Sequence, residues 1–206
     1  MRLPKGALLA LGLFAGSPAA GLPVISEVFY DAVGADDGQS FVELYGAAGS
    51  SLDGLVIEGV NGADGAVTHT LALAGAFGPD GLFVLADRTS AGTTAVPDAD
   101  QLLDFDFQNG PDSVVLRDVS GVVDALGYGT FLPAEFNVGE GAPAVDPPAG
   151  QSVARRFANV DTNDNATDFL AGAPTPGSAA FAVPEPASAG LLAVGLLGLA
   201  RIGRRR

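Results

Sequence analysis

The chain of 206 residues contains no cysteine, no tryptophan, one histidine and one lysine. Without cysteine it forms no disulfide and offers no thiolate as a nucleophile or metal ligand. The single lysine is Lys5, and no Gly-x-x-x-x-Gly-Lys sequence is present, which excludes the phosphate-binding loop of nucleotide hydrolases. A serine triad would require His69, and no Gly-x-Ser-x-Gly elbow accompanies that residue.

Basic residues are scarce in the central part of the chain. Residues 21–183 contain 23 acidic residues and four arginines, which leaves 19 net negative charges there, whereas the whole chain carries −14. Such a surface repels phosphate backbones, so we expect no binding to nucleic acid. It favours solubility and a weak attraction for divalent cations.

The first 20 residues have the composition of a secretory signal peptide. Arg2 and Lys5 precede an apolar run over residues 7–15, and small residues follow up to Ala20. This order predicts an exported chain whose residues 1–20 form a signal helix, cleaved by signal peptidase near Ala20. The alternative interpretation is a buried N-terminal helix.

The other end of the chain has the composition of a membrane helix. Residues 187–200 form an apolar run of 14 residues, which spans roughly 21 Å at ~1.5 Å per residue, and Arg201 extends it by snorkelling. Three more arginines at the end favour the cytoplasmic side of the inner membrane. We therefore predict a transmembrane helix with an Arg-rich tail over residues 187–206 and a body outside that membrane.

A short motif precedes this helix. Pro184, Glu185 and Pro186 come first, the apolar residues 191–200 follow, and the arginine cluster closes the chain with Arg204, Arg205 and Arg206. This order resembles the PEP-CTERM sorting signal of Gram-negative bacteria. The resemblance implies recognition by an exosortase and cleavage near the motif, so that a membrane-anchored precursor becomes a cell-surface or extracellular protein. Such systems accompany extracellular polysaccharide production. The alternative is an ordinary single-span anchor.

Between the two ends the chain alternates between short apolar runs and turns. The turns contain pairs such as Asn61-Gly62 and Asn109-Gly110, which favour tight hairpins, and no run has a helical period. We expect loops over residues 91–100 and 131–150 and an extended linker over residues 171–186. The pattern predicts an all-β sandwich with strands over residues 24–30, 41–45, 55–57, 67–71, 82–86, 113–117, 122–126 and 152–157.

The order of these runs also resembles the lamin tail domain, an immunoglobulin-like β-sandwich found in many secreted bacterial proteins. The resemblance covers residues 22–177, with a linker containing the Pro-Glu-Pro motif over residues 178–186. It implies a binding or tethering module with no catalytic residues and no cofactor. The matching stretches are residues 25–30, 41–45, 52–55, 83–86, 109–116, 123–128, 150–155, 161–165, 168–169 and 174–177.

One loop contains a candidate metal site. Asp161, Asn163, Asn165 and Asp168 offer oxygen ligands at positions 1, 3, 5 and 8, which suits calcium. The EF-hand pattern is not matched, because position 6 is alanine rather than glycine and position 12 is glycine rather than glutamate. The alternative is a group of Asx turns, in which these side chains accept hydrogen bonds from local backbone N–H groups.

Other acidic groups have simpler interpretations. Asp104 and Asp106 alternate with apolar residues, which is typical of solvated carboxylates, although a carboxylate pair near Asp104 could serve a hydrolase. His69 alternates with apolar neighbours and is expected to be structural. Glu43 shares a strand face with Phe41 and Tyr45, so we expect it to be partly buried. Its expected partner is one of Arg88, Arg117 and Arg155.

Taken as a sequence, the chain is best explained as an exported, non-enzymatic module that binds or scaffolds at the cell envelope or in the extracellular matrix. The expected partners are the two processing enzymes, the inner membrane, and extracellular polysaccharide or envelope proteins. A calcium-dependent adhesion module that uses residues 161–168 is the first alternative, and a secreted hydrolase is the second.

Overall fold

A computed structural model describes residues 21–183. The predicted signal peptide, the Pro-Glu-Pro motif and the predicted membrane helix lie outside the described residues. Within residues 21–183 no helix has the length and apolar character needed to cross a membrane. The elements are β1 (Val24–Phe29), β2 (Phe41–Tyr45), β3 (Val56–Asn61), β4 (Val67–Ala72), β5 (Leu82–Asp87), β6 (Gln101–Leu103), β7 (Asp112–Asp118), β8 (Gly121–Tyr128), β9 (Ser152–Arg155), α1 (Asn165–Asp168) and β10 (Phe169–Gly172).

The strands form two sheets. One sheet has six strands in the order β10-β9-β1-β2-β5-β6, and the other has four in the order β4-β3-β7-β8. All strand pairs are antiparallel except β5 with β6. The all-β prediction is therefore confirmed for the described part of the chain.

One apolar core lies between the two sheets. Val42 and Leu44 contribute from the six-stranded sheet, Ile57 and Leu116 contribute from the four-stranded sheet, and all four are fully buried in the same cluster. Because side chains alternate along a strand, the residues between them point away from this core. The two sheets therefore form two layers that are held together mainly by apolar burial.

A bulge in β1 sets the outer face of the larger sheet. The register between β1 and β2 shifts between Ile25 and Glu27, so that Glu27 lies directly opposite Glu43. The neighbouring residues Phe29 and Phe41 belong to a second, smaller cluster with Val96. Residues of the loop before β6 therefore cover part of a face that a bare sheet would expose to water.

All of the predicted strands are present, although their ends are shifted, and the structure contains two further strands that were not predicted. The predicted strand 55–57 extends to Asn61, and the predicted strand 152–157 ends at Arg155. The strands β6 and β10 and the helix α1 were not expected. Only three residues of β6 pair with β5, which is too short a run to give a recognisable alternation.

The expected linker over residues 171–186 needs correction at its start. Ala171 and Gly172 pair with β9 as part of β10. Residues 173–183, named here the C-terminal strap, have no regular secondary structure, but they are hydrogen-bonded to the body at several points. This segment contains a turn at residues 176–177, closed by a bond from the N–H of Ser178 to the carbonyl oxygen of Thr175, and it is a packed part of the fold rather than a free, extended spacer.

Candidate functional site

Arg155, at the end of β9, lies at the centre of a buried group of carboxylates. Its side chain is fully buried and binds Asp124 at 3.0 Å, Asp168 at 2.9 Å and Asp161 at 3.2 Å. Its Nε donates to the carbonyl oxygen of Ile25 at 3.0 Å. One guanidinium therefore holds together β1, β8, β9 and the loop around α1, which are far apart in the sequence.

Two of these carboxylates are held by further donors. Asp124 accepts the backbone N–H of Ile25 at 2.5 Å. Asp168 accepts both the backbone N–H of Thr162 at 2.9 Å and the Thr162 hydroxyl at 2.8 Å. Burial raises the pKa of Asp124, although the charge of Arg155 opposes that shift. Buried charges of this kind are tolerated only when nearly every lone pair has a donor.

The four predicted calcium ligands do not act as one set. Asp161 and Asp168 both bind Arg155, and Asp161 also accepts the backbone N–H of Asn163 at 3.0 Å. Asn165 is fully buried, and its side-chain oxygen accepts N–H groups of Gly127 and Glu140, each at 2.9 Å. That oxygen therefore has both lone pairs occupied. The Asx-turn alternative describes Asp161 well, and calcium binding stays a prediction.

A different trio of carboxylates lies close together. Asp124, Glu140 and Asp161 each place one oxygen within 4.8 Å of the others. Glu140 Oε2 is buried without a hydrogen-bond partner among the described residues. Burial, followed by the charges of Asp124 and Asp161, raises the pKa of Glu140 to about 7. Together with Asp168, four carboxylates thus surround a single guanidinium, and the surplus charge favours either a bound proton or a cation.

Sequence reasoning missed Glu140 and Asp124 as members of this cluster. Asp124 interrupts the apolar run of β8, and a carboxylate inside such a run is a usable indication of a buried partner. Glu140 lies among glycines and prolines in the long loop over residues 131–150, where no periodic pattern marks it. We name that loop the excursion.

A second buried pair of carboxylates lies on the outer face of the larger sheet. Glu27 is 1% exposed and Glu43 is fully buried, and they face each other across β1 and β2. Glu27 accepts the backbone N–H of Thr175 at 3.0 Å and the Thr175 hydroxyl at 2.8 Å. Glu43 accepts the backbone N–H of Gly177 at 2.8 Å. The C-terminal strap therefore donates to both groups, and Glu27 also accepts the hydroxyl of Ser152 in β9.

The expectation that an arginine neutralises Glu43 is wrong. Arg117 binds Glu58, Arg155 binds its own cluster, and Arg88 makes no ion pair with Glu43 within residues 21–183. Burial raises the pKa of Glu43 to about 7, and the charge of Glu27 adds to that shift. Glu43 Oε1 has no hydrogen-bond partner among the described residues. The expectation of burial itself is confirmed.

The remaining candidates of the sequence lie apart from both clusters. Asp104 and Asp106 are exposed and alternate with the buried Phe105 and Phe107, as expected for solvated carboxylates. The ring of His69 packs edge-on against Phe107 with the ring centres 5.7 Å apart. This contact agrees with a structural role for the histidine.

The excursion carries an exposed apolar surface, which we name the excursion patch. Leu132, Phe136, Val138 and Val145 have exposed fractions between 40% and 62%. Beside them lies an open cleft with polar groups in its wall. It is lined by Gly129, Thr130, Phe131, Asn137, Pro143, Ala144, Val145 and Asp146. The exposed apolar side chains of this one loop and its cleft make the excursion a candidate binding surface.

Comparison with known proteins identifies one end of the chain. Residues 182–206 match the PEP-CTERM protein-sorting motif. No curated protein matches the chain. The motif establishes an exosortase-targeted bacterial protein that is exported to the cell surface or beyond. Its first residue, Ala182, still belongs to the folded body, because Asn159 accepts its N–H at 2.7 Å and donates to its carbonyl oxygen at 2.9 Å.

Replacing Arg155 by methionine should destabilise the body strongly. Arg155→Met leaves Asp124, Asp161 and Asp168 without their shared cation, and loss of one partner in a buried ion pair costs about 3–5 kcal/mol. The loss should shrink as the pH falls from 7.5 to 4, because burial raises the pKa of Asp124 and its protonation removes one of the unpaired buried charges. Urea unfolding at pH 7.5 and pH 4 measures both effects.

Arg156→Met is the matched control, because Arg156 is exposed and should contribute little. Equal stability of the two variants at pH 7.5 would contradict the central role of Arg155.

Proposed function

We propose that this chain is a non-enzymatic β-sandwich module which exosortase sorts to the cell envelope or extracellular matrix of a Gram-negative bacterium, where it binds or scaffolds other molecules. The observation that supports this best is the junction at Ala182. There the packed body passes directly into the sorting motif, with Ala182 bonded to Asn159. The folded body is therefore what the sorting motif delivers.

The proposed maturation of the precursor has two processing steps. Signal peptidase removes residues 1–20 near Ala20, and the apolar run over residues 187–200, with the Arg-rich tail up to residue 206, holds the precursor in the inner membrane. Exosortase then recognises Pro184, Glu185 and Pro186. Both steps lie outside the body, so neither disturbs its apolar core.

We also propose that the body is an immunoglobulin-like domain of the lamin tail type. Several of the stretches that carry this resemblance coincide with strands of the structure, whereas residues 52–55, 161–165 and 174–177 lie outside the strands. Residues 25–30 and 41–45 overlap β1 and β2, residues 109–116 and 123–128 overlap β7 and β8, and residues 150–155 contain β9. Modules of this type act by binding, which agrees with the structural use of the charged groups around Arg155.

The excursion patch is the proposed binding surface. Phe136 is about half exposed, and the neighbouring cleft combines the ring of Phe131 with the polar groups of Asn137 and Asp146. Aromatic rings pack against the apolar faces of sugar rings, while amides and carboxylates bind their hydroxyls. This combination supports extracellular polysaccharide as the partner, ahead of an envelope protein.

Processing should depend on the two prolines of the sorting motif. The double variant Pro184→Ala, Pro186→Ala should accumulate as an uncleaved, membrane-associated precursor, because exosortase recognises the motif rather than the body. Immunoblots of membrane and medium fractions from the producing bacterium measure this, with an exosortase-deficient strain as reference. Pro133→Ala, in the excursion, is the control and should be processed normally. Normal processing of the double variant would contradict the proposal.

Polysaccharide binding should depend on Phe136. Phe136→Ser removes an exposed ring from the excursion patch and should weaken cosedimentation of the purified chain with the polysaccharide of the producing strain by at least roughly tenfold, which corresponds to about 1.4 kcal/mol. Phe157→Ser is the control, because Phe157 is similarly exposed, at 44%, but lies outside the excursion. Equal binding by both variants would remove the patch from the proposal.

A calcium-dependent module is the second candidate, on the strength of the carboxylate trio. Asp124, Glu140 and Asp161 present oxygens close enough to share one cation, and Asp161 also belongs to the loop that the sequence singles out. The positive charge of Arg155 in the same cluster works against binding. Affinity would therefore depend on how far calcium offsets the surplus of negative charge.

Calcium binding is measured by calorimetric titration of the full chain with calcium chloride, with magnesium chloride for comparison. A calcium-dependent module predicts heat on titration and a higher Tm with calcium, and Glu140→Gln should abolish both. Glu135→Gln, in the same excursion, should leave both unchanged. Absence of heat and of any change in Tm would remove this candidate.

A further inference from the structure

The C-terminal strap covers the buried carboxylates Glu27 and Glu43, neither of which has an ion-pair partner within residues 21–183. Thr175 and Gly177 bind Glu27 and Glu43 through backbone N–H groups, and the Thr175 hydroxyl adds a third bond. Further along, the ring of Phe181 lies 5.1 Å from that of Tyr45. The strap ends at the contact between Asn159 and Ala182, at the start of the sorting motif.

The charges around this pair all have the same sign. Glu27 faces Glu43 from β1, and Val84 of β5 and Ala154 of β9 bring no charge. Residues 174–178 have no titratable side chain, and Asp98 of the loop before β6 lies over Gly177. Like charges directly opposite each other in a sheet repel, and burial strengthens that repulsion.

We propose that residues 173–183 form a releasable strap, which stays docked while the Glu27–Glu43 pair holds protons, comes away when the pair ionises, and thereby sets the length of chain between the body and the sorting motif. This inference deepens the proposed function and, where it concerns processing, rests on it. The ionised pair requires water, and removal of the strap is the simplest way to admit it.

The direction of the pH effect follows from the burial of Glu43. Its pKa is raised from 4.5 to about 7 in the docked state, chiefly by burial. Docking therefore binds protons, so its stability is greatest below about pH 4.5 and declines as the pH rises through about 7. The pKa of Glu27 is raised as well, again mainly by burial, and acts in the same direction.

Release of the strap increases the distance that the sorting motif can extend from the body. With the strap docked, the motif begins at the surface of the body, because Ala182 is held by Asn159. Eleven released residues span up to about 36–40 Å at 3.3–3.6 Å per residue. After release, a flexible segment would separate the motif from the folded body. A membrane enzyme that binds an extended peptide could then bind the motif without approaching the body closely.

Hydrogen exchange of the purified full chain in detergent tests the strap directly. Between pH 5.5 and pH 8.0, protection at Thr175 and Gly177 should fall by at least roughly tenfold after correction for the intrinsic rate, because one pKa unit of coupling corresponds to a factor of ten. Protection in β3 and β4, which belong to neither carboxylate cluster, should stay unchanged. Glu43→Gln should keep the strap protected at both pH values, since the amide oxygen still accepts from Gly177 and does not ionise.

Glu135→Gln is the control and should behave as the unaltered chain does. Unchanged protection of the strap between the two pH values in the unaltered chain would overturn the inference, and so would an undiminished pH effect in Glu43→Gln. The measurement contains no exosortase, so a negative result bears on the strap alone. Failure of the proposed function would appear instead as normal processing of the Pro184/Pro186 variant.

Discussion

The fold depends on one buried cation. Arg155 reaches across the edge of the sandwich to Asp124 in β8, to the carbonyl oxygen of Ile25 in β1 and to Asp168 at the end of α1. Apolar burial stabilises the contact between the two sheets but is not directional, so it does not fix how one sheet is placed on the other. The charge-assisted hydrogen bonds of Arg155 do fix that placement, because each requires a defined geometry. The last part of the chain, from α1 into β10, is therefore placed by Arg155 as well as by its pairing with β9.

The Glu27–Glu43 pair differs from the Arg155 cluster in its electrostatics, because it consists of two carboxylates. Glu27 and Glu43 are as deeply buried as Asp124, but no arginine within residues 21–183 reaches them, so neutral donors from the C-terminal strap and the Ser152 hydroxyl take that role. Neutral donors stabilise one ionised carboxylate more readily than two that face each other. In the Arg155 cluster a cation offsets part of the carboxylate charge, whereas the strap joint has only neutral donors among the described residues, so its strength depends directly on the protonation of Glu27 and Glu43.

Sequence patterns predicted the sheets far better than the clusters. Runs such as residues 41–45 and 82–86 show strand length and β-branched or aromatic composition, both of which are local properties. The partners of Arg155 come from residues 124, 161 and 168, and pairing over such distances leaves no periodic trace. Glu43 was recognised as buried from its neighbours, yet its donors lie 134 positions further on, in a segment rich in proline and glycine.

The C-terminal strap connects the folded body to the sorting motif that directs its export. Because β10 pairs with β9 at the edge of the larger sheet, the chain leaves the body beside β9 and must cross the outer face to reach Asn159. That path runs over the Glu27–Glu43 pair, so the segment that leads into the sorting motif packs against two buried carboxylates. A change in protonation of the Glu27–Glu43 pair therefore acts on the segment that leads directly into the sorting motif.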